Sequence, residues 1–157
     1  MQLTSSAFRQ GEPIPDRFTC EGGDMSPEFT WEGAPQETQS LVLILHDPDA
    51  PRANGFTHWV VYNVPANVNR LPENAPKQGR IDGLGMQGKN DAGRLGYAGP
   101  CPPSGTHRYF ARLYALDAKL ALEPGATHEQ VSTAMEPHII DECELMGTYT
   151  KKGRRAA

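Results

Sequence analysis

Four side chains in this 157-residue sequence carry the chemistry to hold an anion: Asp47, His58, His107 and Tyr109. Imidazole and phenol donate hydrogen bonds, and a carboxylate beside an imidazole decides which ring nitrogen carries the proton. Asp47 opens the segment Asp47-Pro48-Asp49-Ala50-Pro51, directly after the apolar run Leu41–Leu45. Two carboxylates at i and i+2 suit a metal ion, an acid and a base, or a turn held by aspartate side chains. If the runs on either side of residues 48–57 pair as a hairpin, Asp47 falls opposite His58, with Cβ atoms about 4.5–5.5 Å apart. His58 then gives one nitrogen to the carboxylate and keeps the other for a ligand. A slip of one residue would send His58 to the other face of the sheet.

The segment from Gly99 to Tyr109, GPCPPSGTHRY, supplies the remaining groups. Strand alternation sets His107, Tyr109, Ala111 and Leu113 on one face, and Arg108, Phe110, Arg112 and Tyr114 on the other. An imidazole and a phenol then share the mouth of one strand, under a proline-stiffened loop whose amides add donors. Alone, His107 reads as an ordinary hydrogen-bonded structural histidine. Two histidines, a tyrosine and an aspartate gathered at strand ends point instead to anion capture.

Competing chemistry is weaker. Gly83-Leu84-Gly85-Met86-Gln87-Gly88 matches GxGxxG, but no apolar strand precedes it and no helix opens inside it, so it reads as turns. Ser104 lies in a Pro/Gly turn rather than a nucleophile elbow, and Cys101 stands between prolines, so no activated nucleophile is legible. A hydrolase using Asp47 and His58 as a dyad is the enzymatic alternative. The expectation is a binding protein without catalytic residues, metal or cofactor.

The elements that must position these groups are mostly strands. Leu41–Leu45 reads as a central strand buried on both faces. Thr57–Val64 is β-branched and aromatic and stops at Pro65, and His107–Leu116 is a third strong run. Leu3–Phe8 and Glu28–Trp31 are weaker candidates. The Gly- and Pro-rich stretch from Pro65 to Ser104 is too long for an ordinary hairpin loop. Late in the chain, Thr127-His128-Glu129-Gln130 has capping-box spacing ahead of Val131 and Met135. Ile139, Cys143 and Met146 repeat at i, i+4 and i+7, which predicts two helical segments near 128–136 and 138–147, parted at Pro137. The fold expected is mostly β, an antiparallel sandwich over residues 1–150, with a basic tail at 151–157.

Composition narrows the partners. The net charge is −4, yet four of the 15 basic residues crowd into the last seven positions, leaving the body near −8. So acidic a body is a poor match for nucleic acid or an anionic membrane surface. No apolar leader and no stretch of membrane-spanning length is visible. Cys20, Cys101 and Cys143 are few, odd in number and widely spaced, which predicts three reduced thiols in a cytoplasmic protein.

DPDAP at 47–51, His58 heading Trp59-Val60-Val61-Tyr62-Asn63, and GPCPPSGTHRY together resemble the phosphatidylethanolamine-binding protein family, most nearly its bacterial and archaeal Raf-kinase-inhibitor-like branch. The resemblance extends from Phe8, Phe18–Gly22 and Ser26-Pro27 to Glu144–Tyr149. It implies an antiparallel β-sandwich whose larger sheet carries a small anion pocket. The matching pocket positions are Asp47, His58, His107 and Tyr109 with the loop around Cys101 and Pro103. Asp49, Pro51, Gly99 and Pro102 shape the walls. The implied ligands are phosphate, acetate-like anions and phospholipid head groups. The resemblance also raises an inhibitor of a kinase or serine protease acting through surface loops, and leaves homodimerisation open. Three positions depart from the family pattern: Pro100 lacks an amide donor, Glu28 replaces a proline, and Pro137 stands where glycine is usual.

Overall fold

The computed structural model describes residues 1–152. Nine strands form two antiparallel sheets. The larger has six strands in the order β6(Arg80–Ile81), β7(Gly85–Gln87), β4(Phe56–Pro65), β3(Ser40–Asp47), β8(Thr106–Leu116), β9(Ile139–Thr150). The smaller has three, β1(Gln2–Thr4), β2(Phe29–Glu32) and β5(Arg70–Leu71), with β2 central.

β3 sits in the middle of the large sheet because both its faces are apolar. Leu41, Leu43 and Leu45 point into the main core with Trp59, Val61, Ala111 and Leu113, facing Leu3, Phe29, Trp31 and Leu71 of the small sheet. Val42 and Ile44 point the opposite way, where Val60, Tyr62, Val131 and Met135 cover them. Each such side chain gains about 1.5–3 kcal/mol by leaving water. Val131 and Met135 belong to α1(His128–Met135), whose N-terminus is closed by the expected box: Thr127 Oγ1 accepts from Gln130 N–H, and the Gln130 side chain accepts from Thr127 N–H.

The second helix expected at 138–147 is absent. A short 3₁₀ turn, Glu136–His138, holds Pro137, and the chain then runs as β9 for twelve residues. The i, i+4, i+7 pattern of Ile139, Cys143 and Met146 coexists with a period-two pattern, in which Leu145, Gly147 and Tyr149 are buried. The ladder decides between the two patterns. β8 would otherwise leave a long row of backbone groups unpaired, and β9 satisfies it from Thr106↔Thr150 to Leu116↔Ile139. Gly147 therefore does not end a helix. A Cβ there would meet Phe8 and Ile14 at 2.7–2.8 Å, so its bareness lets the N-terminal segment cross the strand.

The stretch 65–104 contains the small strands β5, β6 and β7 rather than one long loop. The GxGxxG match covers the end of the tight turn after β6 and the whole of β7, with Gly83 and Gly85 at φ +72° and +117°. Of the basic tail, Lys151 and Lys152 are described, Lys152 paired with Asp16; Arg154 and Arg155 lie outside the described residues.

Candidate functional site

The end of β3, the start of β4 and the start of β8 converge on one edge of the main core. Loops 48–55 and 98–105 rise around them and enclose a cavity of about 340 Å³. Asp47, His58 and His107 line its floor, and Pro51, Gly99, Cys101, Pro102 and Pro103 contribute walls.

Register explains how the three floor residues meet. His46 pairs with Phe110 across β3 and β8, which puts Asp47 next to Tyr109 and one diagonal step from His107. Asp47 Oδ2 accepts from His107 Nδ1 at 2.6 Å, and Asp47 Oδ1 accepts from the Asp49 amide at 2.7 Å. The partner expected for Asp47 was His58, and this is corrected. In the β3–β4 ladder Leu45 pairs with Trp59 and His46 with Thr57, so His58 is an extra residue that opposes nothing. Simple alternation from Trp59, which faces the main core, would turn His58 away. The bulge re-aims it, so that His58 and Trp59 serve the same face while Thr57 faces the other and bonds His46. His58 Nδ1 donates instead to the Ala98 carbonyl at 2.7 Å.

Both tautomers follow from these partners. A carbonyl and a carboxylate only accept, so Nδ1 of each ring carries its proton. Among the described residues neither Nε2 has a protein partner, and both are left to the cavity. His58 is 5% exposed, and burial lowers its pKa, with the Ala98 carbonyl and the Asp47 charge opposing. At neutral pH its Nε2 is therefore a lone pair rather than a donor.

Tyr109 lies behind both rings, its centroid 5.3 Å from His58 and 6.5 Å from His107. Its hydroxyl is buried and has no hydrogen-bond partner among the described residues. Burial and the charges of Asp47 and Asp49 push its pKa up, so the phenol keeps its proton. Asp49 does not enter the cavity. It accepts from Arg108 at its backbone N–H, Nε and Nη2, all at 2.9 Å, and this holds its pKa down at about 2. Among the described residues no three His, Cys, Asp or Glu side chains are gathered for a metal ion.

The cysteines require a second correction. Cys20 and Cys101 form a disulfide, leaving Cys143 as the free thiol. The bond closes a separation of 81 residues and ties the 19–24 loop to the proline loop at the rim of the cavity. Three further contacts reinforce this seam: Cys20 N–H to Pro100 O at 3.1 Å, Gly99 N–H to Asp24 Oδ1 at 2.7 Å, and Tyr97 Oη–H to Phe18 O at 2.6 Å. Remote spacing hid the pair, because sequence distance says nothing about which loops a sandwich folds side by side.

Residues 4–150 match the family model for phosphatidylethanolamine-binding protein. The chain belongs to the phosphatidylethanolamine-binding protein family. A UPF0098 protein of the archaeon Methanothermobacter thermautotrophicus is 52% identical over 151 residues, covering 96% of this chain and 99% of the relative. The crystal structure of a phosphatidylethanolamine-binding protein homolog from Chlamydia trachomatis superposes with a TM-score of 0.88 at 47% identity, covering 96% of this chain and 97% of that one. That of E. coli YbcL, described as a new member of the mammalian family, gives 0.86 at 35% identity, covering 96% and 98%. Among the described residues of this family member no helix is long and apolar enough to cross a membrane. Of the ligand positions expected from the resemblance, Asp47, His58, Cys101, Pro103 and His107 line this cavity and Tyr109 does not. The resemblance gave no signal for Arg52 and Arg94, which line the cavity from turns without a recognisable motif, or for Phe56, the first residue of β4.

Proposed function

We propose that this family member is a non-enzymatic binding protein whose cavity takes a small anion of the phosphate, acetate or phospholipid head-group kind. One observation carries the reading: His58 and His107 each commit Nδ1 to a fixed acceptor, so both Nε2 atoms are left for the same cavity. Tyr109 backs this floor rather than lining the cavity: its ring packs against both imidazoles, and its buried hydroxyl has no partner among the described residues. An entering anion brings the counter-charge that lets His58 take up a proton, and Asp47 holds the other nitrogen of His107. Calorimetric titration with inorganic phosphate tests this. His107→Ala removes a charge-assisted bond worth about 1.5–3 kcal/mol, a loss of roughly tenfold to a hundredfold in affinity. Undiminished phosphate affinity in that variant overturns the reading.

A cytoplasmic setting fits the Cys20–Cys101 bond only where the cytosol tolerates structural disulfides, as it does in hyperthermophiles. Alkylating thiols at the moment of cell lysis decides it: Cys20 and Cys101 blocked by the reagent would mean the bond forms after extraction.

A further inference from the structure

The charges around the cavity mouth are not balanced. Each carboxylate lining it is already committed: Asp47 to His107 and the Asp49 amide, and Asp24 to Lys77 Nζ at 2.9 Å and the Gly99 amide. Two guanidinium groups, those of Arg52 and Arg94, line the same cavity with no carboxylate partner among the described residues. Arg52 is held at the rim by the ring of Phe56, with its Cζ 5.4 Å from the centroid. Arg94 is carried by the 90–94 turn, which Asn90 braces by accepting from the Ala92 amide at 2.9 Å. The same cavity is also lined by apolar surfaces of Pro51, Phe56 and Pro102.

We infer that the cavity selects phosphate monoesters that carry a second anionic group, and discriminates against those ending in an ammonium group. This rests on the reading of the floor as an anion site. The phosphoryl group occupies the imidazole floor, the short organic link crosses the apolar wall, and the second anion meets Arg52 and Arg94. An ethanolamine ammonium in that position finds two like charges and no free carboxylate. Guanidinium suits the role because its fork of donors fits carboxylate and phosphate oxygens in pairs. A bis-anionic phosphoester arises either as a free metabolite or as a phosphorylated lipid head group, and the recognition chemistry is the same for both.

The test compares three probes of similar size on the full chain: phosphoglycolate, ethyl phosphate and O-phosphoethanolamine. Affinity is expected to fall in that order, with phosphoglycolate about five- to tenfold above O-phosphoethanolamine at low salt and the gap narrowing as salt screens the exposed charges. In Arg52→Gln/Arg94→Gln the ratio of the two affinities should collapse towards one. Equal or tighter binding of O-phosphoethanolamine by the unaltered protein, or a ratio untouched in the double variant, overturns the inference. His107→Ala separates the two levels: it should weaken all three probes together, and if it does not, the floor reading fails as well. Sedimentation with phosphatidylcholine vesicles containing phosphatidylinositol 4-phosphate assigns the source. Capture points to a lipid head group. Binding of phosphoglycolate without capture points to a free metabolite.

Discussion

Asp47 and His107 lie sixty positions apart in the chain and meet at 2.6 Å across β3 and β8. Both are buried, so the carboxylate gives up water only because the ring N–H and the Asp49 amide replace it. His58 stands on the same floor with a backbone carbonyl as its only fixed partner. The two imidazoles are therefore unequal, one backed by a full negative charge and one by a dipole. That difference sorts the mutants.

Asp47→Asn should weaken phosphate binding, because an amide backs a cationic ring less well than a carboxylate. In His107→Ala the same change should cost almost nothing further, since the group it supports is gone. With His58→Ala the coupling should be smaller than with His107→Ala, because Asp47 reaches His58 through its charge alone and not through a hydrogen bond. Calorimetry on the three single and two double variants reads both cycles. Stronger coupling of Asp47 to His58 than to His107 would contradict the register seen across β3 and β4.

Anion binding should take up protons. His58 has a pKa lowered by burial, and an anion beside Nε2 raises it. A group whose pKa rises on binding makes affinity increase as pH falls from the bound pKa to the free one. Calorimetry at pH 7 in buffers of different ionisation enthalpy should show net uptake, after correction for phosphate's own proton. His58→Ala should reduce it.

Stability should decline on the acid side before any carboxylate titrates. His58 and His46 both have folded pKa values below the ordinary 6.5, chiefly through burial, with His128 and Arg112 adding to the effect at His46. Their contribution is complete above pH 6.5 and is lost as pH falls from there through the folded values. Asp49 acts later. With a folded pKa of about 2 against an ordinary 3.8, it supports the fold above pH 4 and lets go below that. Its exposed pair with Arg108 limits the effect to about 1 kcal/mol. Thermal midpoints between pH 8 and pH 5 check the first step, and saturating phosphate should flatten the His58 part of it by favouring the charged form of that ring, while the His46 part, on the other face of the sheet, stays.

Thiol titration of the unfolded, unreduced protein should find one reactive thiol, Cys143, rising to three after reduction. Closing so long a loop stabilises the fold by up to about 4.5 kcal/mol in the chain-entropy description. Reductant should therefore lower the thermal midpoint, and Cys20→Ala/Cys101→Ala should lower it without responding to reductant. Phosphate affinity of the reduced protein should fall as well, because both cysteines belong to loops that wall the cavity.

Much of this molecule could be read before it was seen, wherever a local pattern had no competitor. Leu41–Leu45 is apolar on both faces and became the central strand, and Thr127–Gln130 capped the helix its spacing announced. Where two patterns overlapped, the outcome lay with a remote partner. Ile139–Met146 could be helix or strand until the open edge of β8 claimed it. The site followed the same rule. His107 and Tyr109 alternate on one strand, so their shared face was legible; the placement of His58 hung on a bulge with no local signature. Cys20 and Cys101 were visible as residues and invisible as a pair.

The central ladder also shapes how the chain reaches this state. β3 finds β4 locally, but its other neighbour, β8, begins at Thr106, well beyond the three small strands between them. The search for that partner closes a long loop before any contact rewards it, which places this fold among the slow folders for its size. Asp47 and His107 sit on the two strands that this long closure brings together. Binding competence should therefore emerge with that closure of the sheet rather than with early collapse. A chain with Cys20 already joined to Cys101 begins that search with β8 held close to its destination.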